Sequence, residues 1–191
     1  MFINPNTAIE KGWITGIKNP QKQVQPNAID FTADSIKRVK LEAAYIGETT
    51  KQMRSIEDVM LYNNAWRLDV MSVYDITSDV YVEIPEGVCA LLFTRSTFTR
   101  NGVFITSGLY DSGFKGHVGC TIYTIGGQVA IEKGTRIGQI AFFSAENASL
   151  YQGGWNHEQG THYVDVAKNL EQATKIDGMN EGKQAGIQRF I

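Results

Sequence analysis

The sequence predicts a mainly β domain, a barrel or sandwich of short strands, followed by a tail. Three observations predict it. Residues 79–84 (Asp-Val-Tyr-Val-Glu-Ile) alternate with period two and stop at Pro85-Glu86-Gly87. Short apolar runs recur at a spacing that suits strands, and little in the chain repeats at helical period. Turn pairs separate those runs, namely Asn101-Gly102, Gly126-Gly127 and Lys133-Gly134.

Element by element, residues 1–26 mix Gly, Pro, Asn and Lys, with a short helix predicted near 7–11. A strand starts at 28–31. Residues 47–64 are polar and read as an insertion or a short helix over 55–62. Residues 88–94 are almost continuously apolar, which predicts a strand buried on both faces. Further strands are predicted at 103–106, 117–124 and 128–131, and a last strong one at 137–143. After Ala145 the character changes. Tyr151-Gln152-Gly153-Gly154-Trp155 is Gly-rich and aromatic, 165–175 suits a short helix, and 176–191 lacks a core pattern. The organisation expected is a β domain over 1–155 and a tail over 156–191, either flexible or packed on a neighbour.

With 191 residues, 42% hydrophobic and 20% charged, the chain can bury one sizeable core. Its formal net charge of −2 gives no basic footprint, so nucleic acid and anionic membranes are not expected partners. No apolar run approaches the roughly 20 residues of a membrane span. Met1-Phe2-Ile3-Asn4-Pro5 does not read as a signal peptide. Cys89 and Cys120 sit in apolar runs and read as free thiols, so a cytoplasmic protein is expected. No His/Cys spacing suits zinc, and His157 and His162 read as surface or structural residues.

Two stretches carry chemistry. Arg95-Ser96-Thr97-Phe98-Thr99-Arg100-Asn101-Gly102 brings two guanidinium forks and several hydroxyls to the end of an apolar strand. That is either a phosphate site or a plain polar strand end. Gly108-Leu109-Tyr110-Asp111-Ser112-Gly113-Phe114-Lys115-Gly116 brackets one carboxylate with glycines. Asp111 there either activates water or bonds its own turn. Two weaker pieces accompany them. Asp30 lies just inside a strand, and Gln139 sits in an apolar strand where its amide demands a partner.

In this order the pieces resemble the dUTPase / dCTP-deaminase superfamily over roughly residues 24–155. The likeness is closest to the dUTPase branch that shares the deaminases' architecture. Residues 25–31 look like the first motif, Arg95-Ser96 open the second, 108–116 the third and 136–139 the fourth. The resemblance implies a distorted β-barrel (β-clip) with short helices and a C-terminal tail. It also implies a homotrimer with sites at subunit boundaries, magnesium, and a deoxynucleoside triphosphate substrate. Asp111 would aim and deprotonate the attacking water. Phe114 would pack on deoxyribose. Ser96, Arg100 and Gln139 would hold the phosphates, and Arg95 and Thr97 would belong to the same substrate site. Backbone from Ile105 through Thr106 and Ser107 to Gly108 would read the base. Asp30 would help place the metal through water. Either Tyr151–Trp155, with Trp155 as a lid or a packing anchor, or the tail over 178–190 would stand in for a fifth motif. The deaminases' proton-shuttling glutamate falls at Thr121, and no acidic residue lies between Asp111 and Glu132. Hydrolysis of dUTP to dUMP and pyrophosphate is therefore expected. The alternatives are a dCTP deaminase or modified-pyrimidine triphosphate hydrolase, and a non-catalytic nucleotide-binding or regulatory protein of the same fold.

Overall fold

The computed structural model describes residues 1–153. Trp155, His157, His162, the helix expected at 165–175 and the tail from 156 lie outside the described residues. Among the described residues, 1–38 and 58–153 form one compact unit, and 39–57 belong to a second.

Helix α1 spans Pro5–Glu10 and α2 spans Pro20–Gln23. Both start on Asn-Pro: the side chains of Asn4 and Asn19 accept from the N–H groups of Asn6 and Lys22, and proline sits where no N–H is needed. The strands are β1 (Ile14–Thr15), β2 (Ile29–Val39), β3 (Tyr45–Ile46), β4 (Lys51–Gln52), β5 (Ile56–Asp58), β6 (Ala65–Leu68), β7 (Ser72–Glu83), β8 (Val88–Thr94), β9 (Val103–Ile105), β10 (Leu109–Tyr110), β11 (Lys115–Thr124), β12 (Val129–Glu132) and β13 (Arg136–Ser144). A third short helix, α3, covers Ser96–Arg100. The expected mainly β fold is thus observed.

In the first unit the main sheet runs β10-β8-β13-β2-β7-β11-β9, with antiparallel neighbours throughout. Register shifts interrupt three pairings, between Arg136 and Gly138, Ala33 and Ser35, and His117 and Gly119. Such bulges bend a sheet and re-aim the neighbouring side chains. One face of these strands forms the core, with Ile29, Phe31, Ile76, Val80, Leu92, Ile122, Ile140 and Phe142 all buried. Each contributes about 1.5–3 kcal/mol of apolar burial.

Two expectations are corrected. Residues 88–94 do not form a strand buried on both faces. Burial alternates along β8, and Cys89, Leu91 and Phe93 face outward although they are apolar. The apolar run reflects one core face and one apolar outer face. Residues 55–62 are not helical either. In the second unit the Ser55 N–H and hydroxyl bind the Glu42 carboxylate, and the Ser55 carbonyl accepts from Lys40 N–H at 2.9 Å. Those long-range bonds hold the backbone extended. The same unit holds the β3–β4 hairpin, Tyr45 opposite Gln52.

Candidate active site

Two clusters carry the residues that the sequence singles out, one at each end of β8. The first is the hairpin of Asp111. β10 pairs with β8, Tyr110 opposite Ala90, and the chain then turns back into β11. Phe114 N–H closes the turn on Asp111 C=O at 3.1 Å. The buried Ser112 hydroxyl donates to Val88 C=O at 2.6 Å, and Gly113 N–H donates to Ile84 C=O at 2.7 Å. Gly113 has φ +90°, and a Cβ there would lie 3.2 Å from Leu150 Cβ and Tyr151 N, so glycine is what the turn admits. Tyr110 is buried. Its hydroxyl donates to Gly119 C=O and accepts from Gly119 N–H, both at 3.0 Å. Burial pushes this phenol above its ordinary pKa, so it stays protonated as a fixed pin across the hairpin.

On this rigid turn the Asp111 side chain is exposed. Among the described residues no donor is engaged by its carboxylate, so Asp111 is not tying up its own loop. It lines an open recess of about 680 Å³ with Cys89, Leu109, Leu150 and Tyr151. Phe114 is placed differently from expectation. It is 8% exposed, packed edge-to-face between Tyr110 and Tyr151 at 5.0 and 5.6 Å, and it does not line the recess. Its ring supports the turn from within, held between the rings of Tyr110 and Tyr151. Tyr151 is clasped to the hairpin by its N–H on Ser112 C=O at 2.7 Å.

The backbone expected to read a base lies beside this turn. Thr106 N–H is taken by Thr121 C=O, and Gly108 C=O accepts from Leu92 N–H, both at 2.9 Å. The Ser107 hydroxyl donates to Leu92 C=O. Among the described residues this leaves the N–H groups of Ser107 and Gly108 open. Thr121 N–H donates to the Thr106 hydroxyl at 3.1 Å. Thr121 pairs with Asp75 across β7, so a carboxylate stands on the neighbouring strand where chain order shows none.

The second cluster surrounds Asp30, whose side chain is 1% exposed. Arg136 donates to one carboxylate oxygen at 2.8 Å, and Gln139 donates to the other at 2.8 Å. Arg95 Nε lies 3.7 Å from the first oxygen, and Arg95 Nη1 donates to Arg136 C=O at 2.7 Å. Arg136 also donates to Lys22 C=O at 2.6 Å. The buried Gln23 amide donates to Asp30 C=O at 3.0 Å. The partner that Gln139 demands is therefore Asp30, opposite it in the β13–β2 register. Gly138 makes room: a Cβ there would sit 2.4 Å from the Phe31 ring, which lies across the bulge. Ser96, Thr97 and Arg100 lie on α3, which follows Arg95 directly, and are exposed.

A divalent cation does not fit at Asp30. Both oxygens are engaged, two guanidinium groups flank it, and the side chain is shut from solvent. Among the described residues no group of three or more His, Cys, Asp or Glu side chains is placed to hold a metal. The metal-facing role expected for Asp30 is thus replaced by a cation-anchoring one. Arg136 is the residue that the sequence reading passed over. It was visible only as the start of the fourth motif, and its chemistry depends on a register with β2 that one strand cannot reveal.

Comparison with known proteins agrees with this architecture. The family model described as dCTP deaminase-like matches residues 6–145. A probable deoxyuridine 5'-triphosphate nucleotidohydrolase of Methanopyrus kandleri is 29% identical over 136 residues, covering 70% of this chain and 87% of that protein. A dCTP deaminase of Sulfurisphaera tokodaii is 27% identical over 182 residues, covering 91% of this chain and 93% of that protein. The crystal structure of 2'-deoxycytidine 5'-triphosphate deaminase from Agrobacterium tumefaciens shares the fold, with TM-score 0.61, 15% identity and 75% of this chain covered. This chain spans about half the length of that structure (48%). By the extent of the family match, and with its strand order and both clusters inside the matched region, the chain belongs to the dCTP deaminase-like family.

Proposed function

We propose that the protein is a dUTP diphosphatase that hydrolyses dUTP to dUMP and pyrophosphate. The observation that carries this is the unengaged, exposed Asp111 carboxylate on a turn fixed by Ser112, Gly113 and Tyr110. A carboxylate so held can accept a proton from water and aim it at phosphorus. Relatives named as probable dUTPases support the substrate. Magnesium, in this reading, arrives with the triphosphate rather than as an ion held by the chain.

The distance between the clusters supports a site shared by two chains. Asp111 follows Tyr110, which pairs with Ala90, whereas Arg95 follows the far end of β8. Six residue steps of extended chain lead from Cys89 to Arg95, about 20 Å. A triphosphate chain spans far less, so one chain's Asp111 meets another chain's cations. An assembly in which each hairpin faces a neighbour's Asp30 cluster satisfies this, as in the expected homotrimer.

A screen of deoxynucleoside triphosphates that detects both pyrophosphate and ammonia tests the reading. Pyrophosphate from dUTP is expected. Asp111→Asn should lower kcat by at least about a thousandfold while nucleotide affinity stays within a few-fold. Parental turnover by that variant would sink the mechanism. One observation favours a second reading, the Asp75 carboxylate opposite Thr121. If Asp75 moves protons at a pyrimidine 4-position, dCTP will release ammonia and Asp75→Asn will stop it.

A further inference from the structure

Asp30 is a buried carboxylate that the proposed hydrolysis does not use directly, and its surroundings are unusually complete. Two of its three side-chain partners are arginines and the third is an amide; Arg136 and Gln139 come from β13 and Arg95 from just past β8, all far from Asp30 in sequence. Arg136 is pinned twice through Nη1, to Asp30 and to Lys22 C=O. Arg95 is pinned through Nη1 to Arg136 C=O. The side chains of Arg95 and Arg136 nevertheless remain 25% and 33% exposed. One end of each guanidinium is therefore fixed, and the rest reaches solvent, with the exposed residues of α3 following Arg95 in the chain.

The charges decide what this can do. Asp30 contributes one negative charge and Arg95 with Arg136 two positive ones, which leaves a net positive face. Two guanidinium groups brought together without a counter-ion repel each other, and without a buried anchor each would sample several rotamers. Asp30 removes both difficulties. We propose that Asp30 is a positioning residue that pre-orients Arg136, Arg95 and Gln139 as a polyphosphate cradle, and that Arg136 contacts the phosphates although it is not the motif's most conspicuous cation. This rests on the triphosphate reading above but not on the identity of the base or on turnover. A guanidinium held this way binds an anion through its free N–H edges with little entropy left to lose, and it does so without metal.

The probe is inorganic tripolyphosphate, titrated calorimetrically into the full-length protein in the presence of a chelator. Parental protein should bind it, and Asp30→Asn should bind at least about tenfold more weakly. The variant keeps an oxygen for Gln139 but turns an N–H₂ toward Arg136. Arg136→Lys, which keeps the charge and can still pair with Asp30, should lose severalfold because the fork is gone. Circular dichroism and sedimentation must show the variants folded and assembled like the parent. In a folded Asp30→Asn protein, unchanged affinity for tripolyphosphate overturns the proposal. A loss that appears only with magnesium present also overturns it, in favour of a metal role. If Asp30→Asn does not fold, the guanidinium N–H signals of the parental protein decide. The Nη1 protons of Arg95 and Arg136, bonded in the free protein, should be protected from exchange before ligand is added, and the signals of both side chains should shift on tripolyphosphate; signals that are unprotected or do not shift refute the cradle. Should the parent bind tripolyphosphate yet leave dUTP intact, the cradle stands and the hydrolase reading alone fails.

Discussion

Two aspartates of this molecule, Asp30 on β2 and Asp111 just past β10, belong to one sheet with β8 and β13 between them, and have opposite surroundings. Asp30 is 1% exposed and locked by Arg136 and Gln139. Asp111 is exposed, and among the described residues its carboxylate holds no hydrogen bond. The buried one has both oxygens engaged and serves to hold cations. The open one keeps its lone pairs for water. The same side chain is a strut in one place and a reactive group in the other, and the difference is made by register and burial. β8 links the two, with Asp111 beside its start and Arg95 just past its end.

The largest effect should come from splitting the two regions between chains. Asp111→Asn and Arg95→Ala proteins should each be nearly inactive. Unfolded together in equal amounts and reassembled, they should regain about a quarter of parental activity, because one pairing in four joins an intact hairpin to an intact cradle. A mixture as inactive as its parents would place both clusters in one chain's site and remove the contrast.

The contrast also shows what a sequence can and cannot disclose. The hairpin was legible because its parts are consecutive: glycines, Tyr110, Asp111 and Phe114 lie within one turn, and local turn chemistry fixes them. The strands at 79–84, 103–106 and 137–143 were legible by alternation and turn pairs for the same reason. The Asp30 cluster was not. Its members come from α2, β2, the end of β8 and the start of β13, and only the β13–β2 register, with its bulge at Ile137, puts Gln139 against Asp30. Asp75 opposite Thr121 escaped likewise. Phe114 was found as a motif residue, but its packing between Tyr110 and Tyr151 depends on contacts that the motif does not disclose.

Next in size is Gly138→Ala, aimed at the cradle alone. A methyl group there meets the Phe31 ring at 2.4 Å, and Phe31 is fully buried and cannot retreat. The change should cost about 2 kcal/mol in urea unfolding. Because the bulge also aims Arg136 and Gln139, KM should rise more than kcat falls. A variant as stable as the parent would show that the ring is not fixed over the bulge.

Ser112→Ala tests the other region with a smaller expected loss. The buried hydroxyl satisfies Val88 C=O, and removing it leaves that carbonyl without its 2.6 Å partner. About 1 kcal/mol of stability should go. Here kcat should fall and KM should hold, the reverse of Gly138→Ala, since only the aim of Asp111 is loosened. If both variants change the same kinetic constant, the two regions are not separate in function.

The smallest effect tests the rule that burial and partners set an aspartate's role, at a carboxylate midway between the two extremes. Asp79 on β7 has a side chain 9% exposed, bonded by Lys18 at 2.9 Å and by the Thr32 hydroxyl at 2.8 Å. Burial alone would raise its pKa, but the bonds from Lys18, Thr32 and Asp34 outweigh it, and the net shift is downward. A lowered carboxylate pKa adds stability that is complete above the ordinary carboxylate range and fades as pH falls through the lowered value. Lys18→Met removes one bond and lets burial count for more, so the acid-unfolding midpoint should move to higher pH by less than about half a unit. At neutral pH the loss should stay within about 0.5 kcal/mol, because the exposed ammonium is screened by solvent. A midpoint that moves to lower pH would mean that burial does not oppose the charge at Asp79. The contrast between Asp30 and Asp111 would then need a cause other than burial and partners.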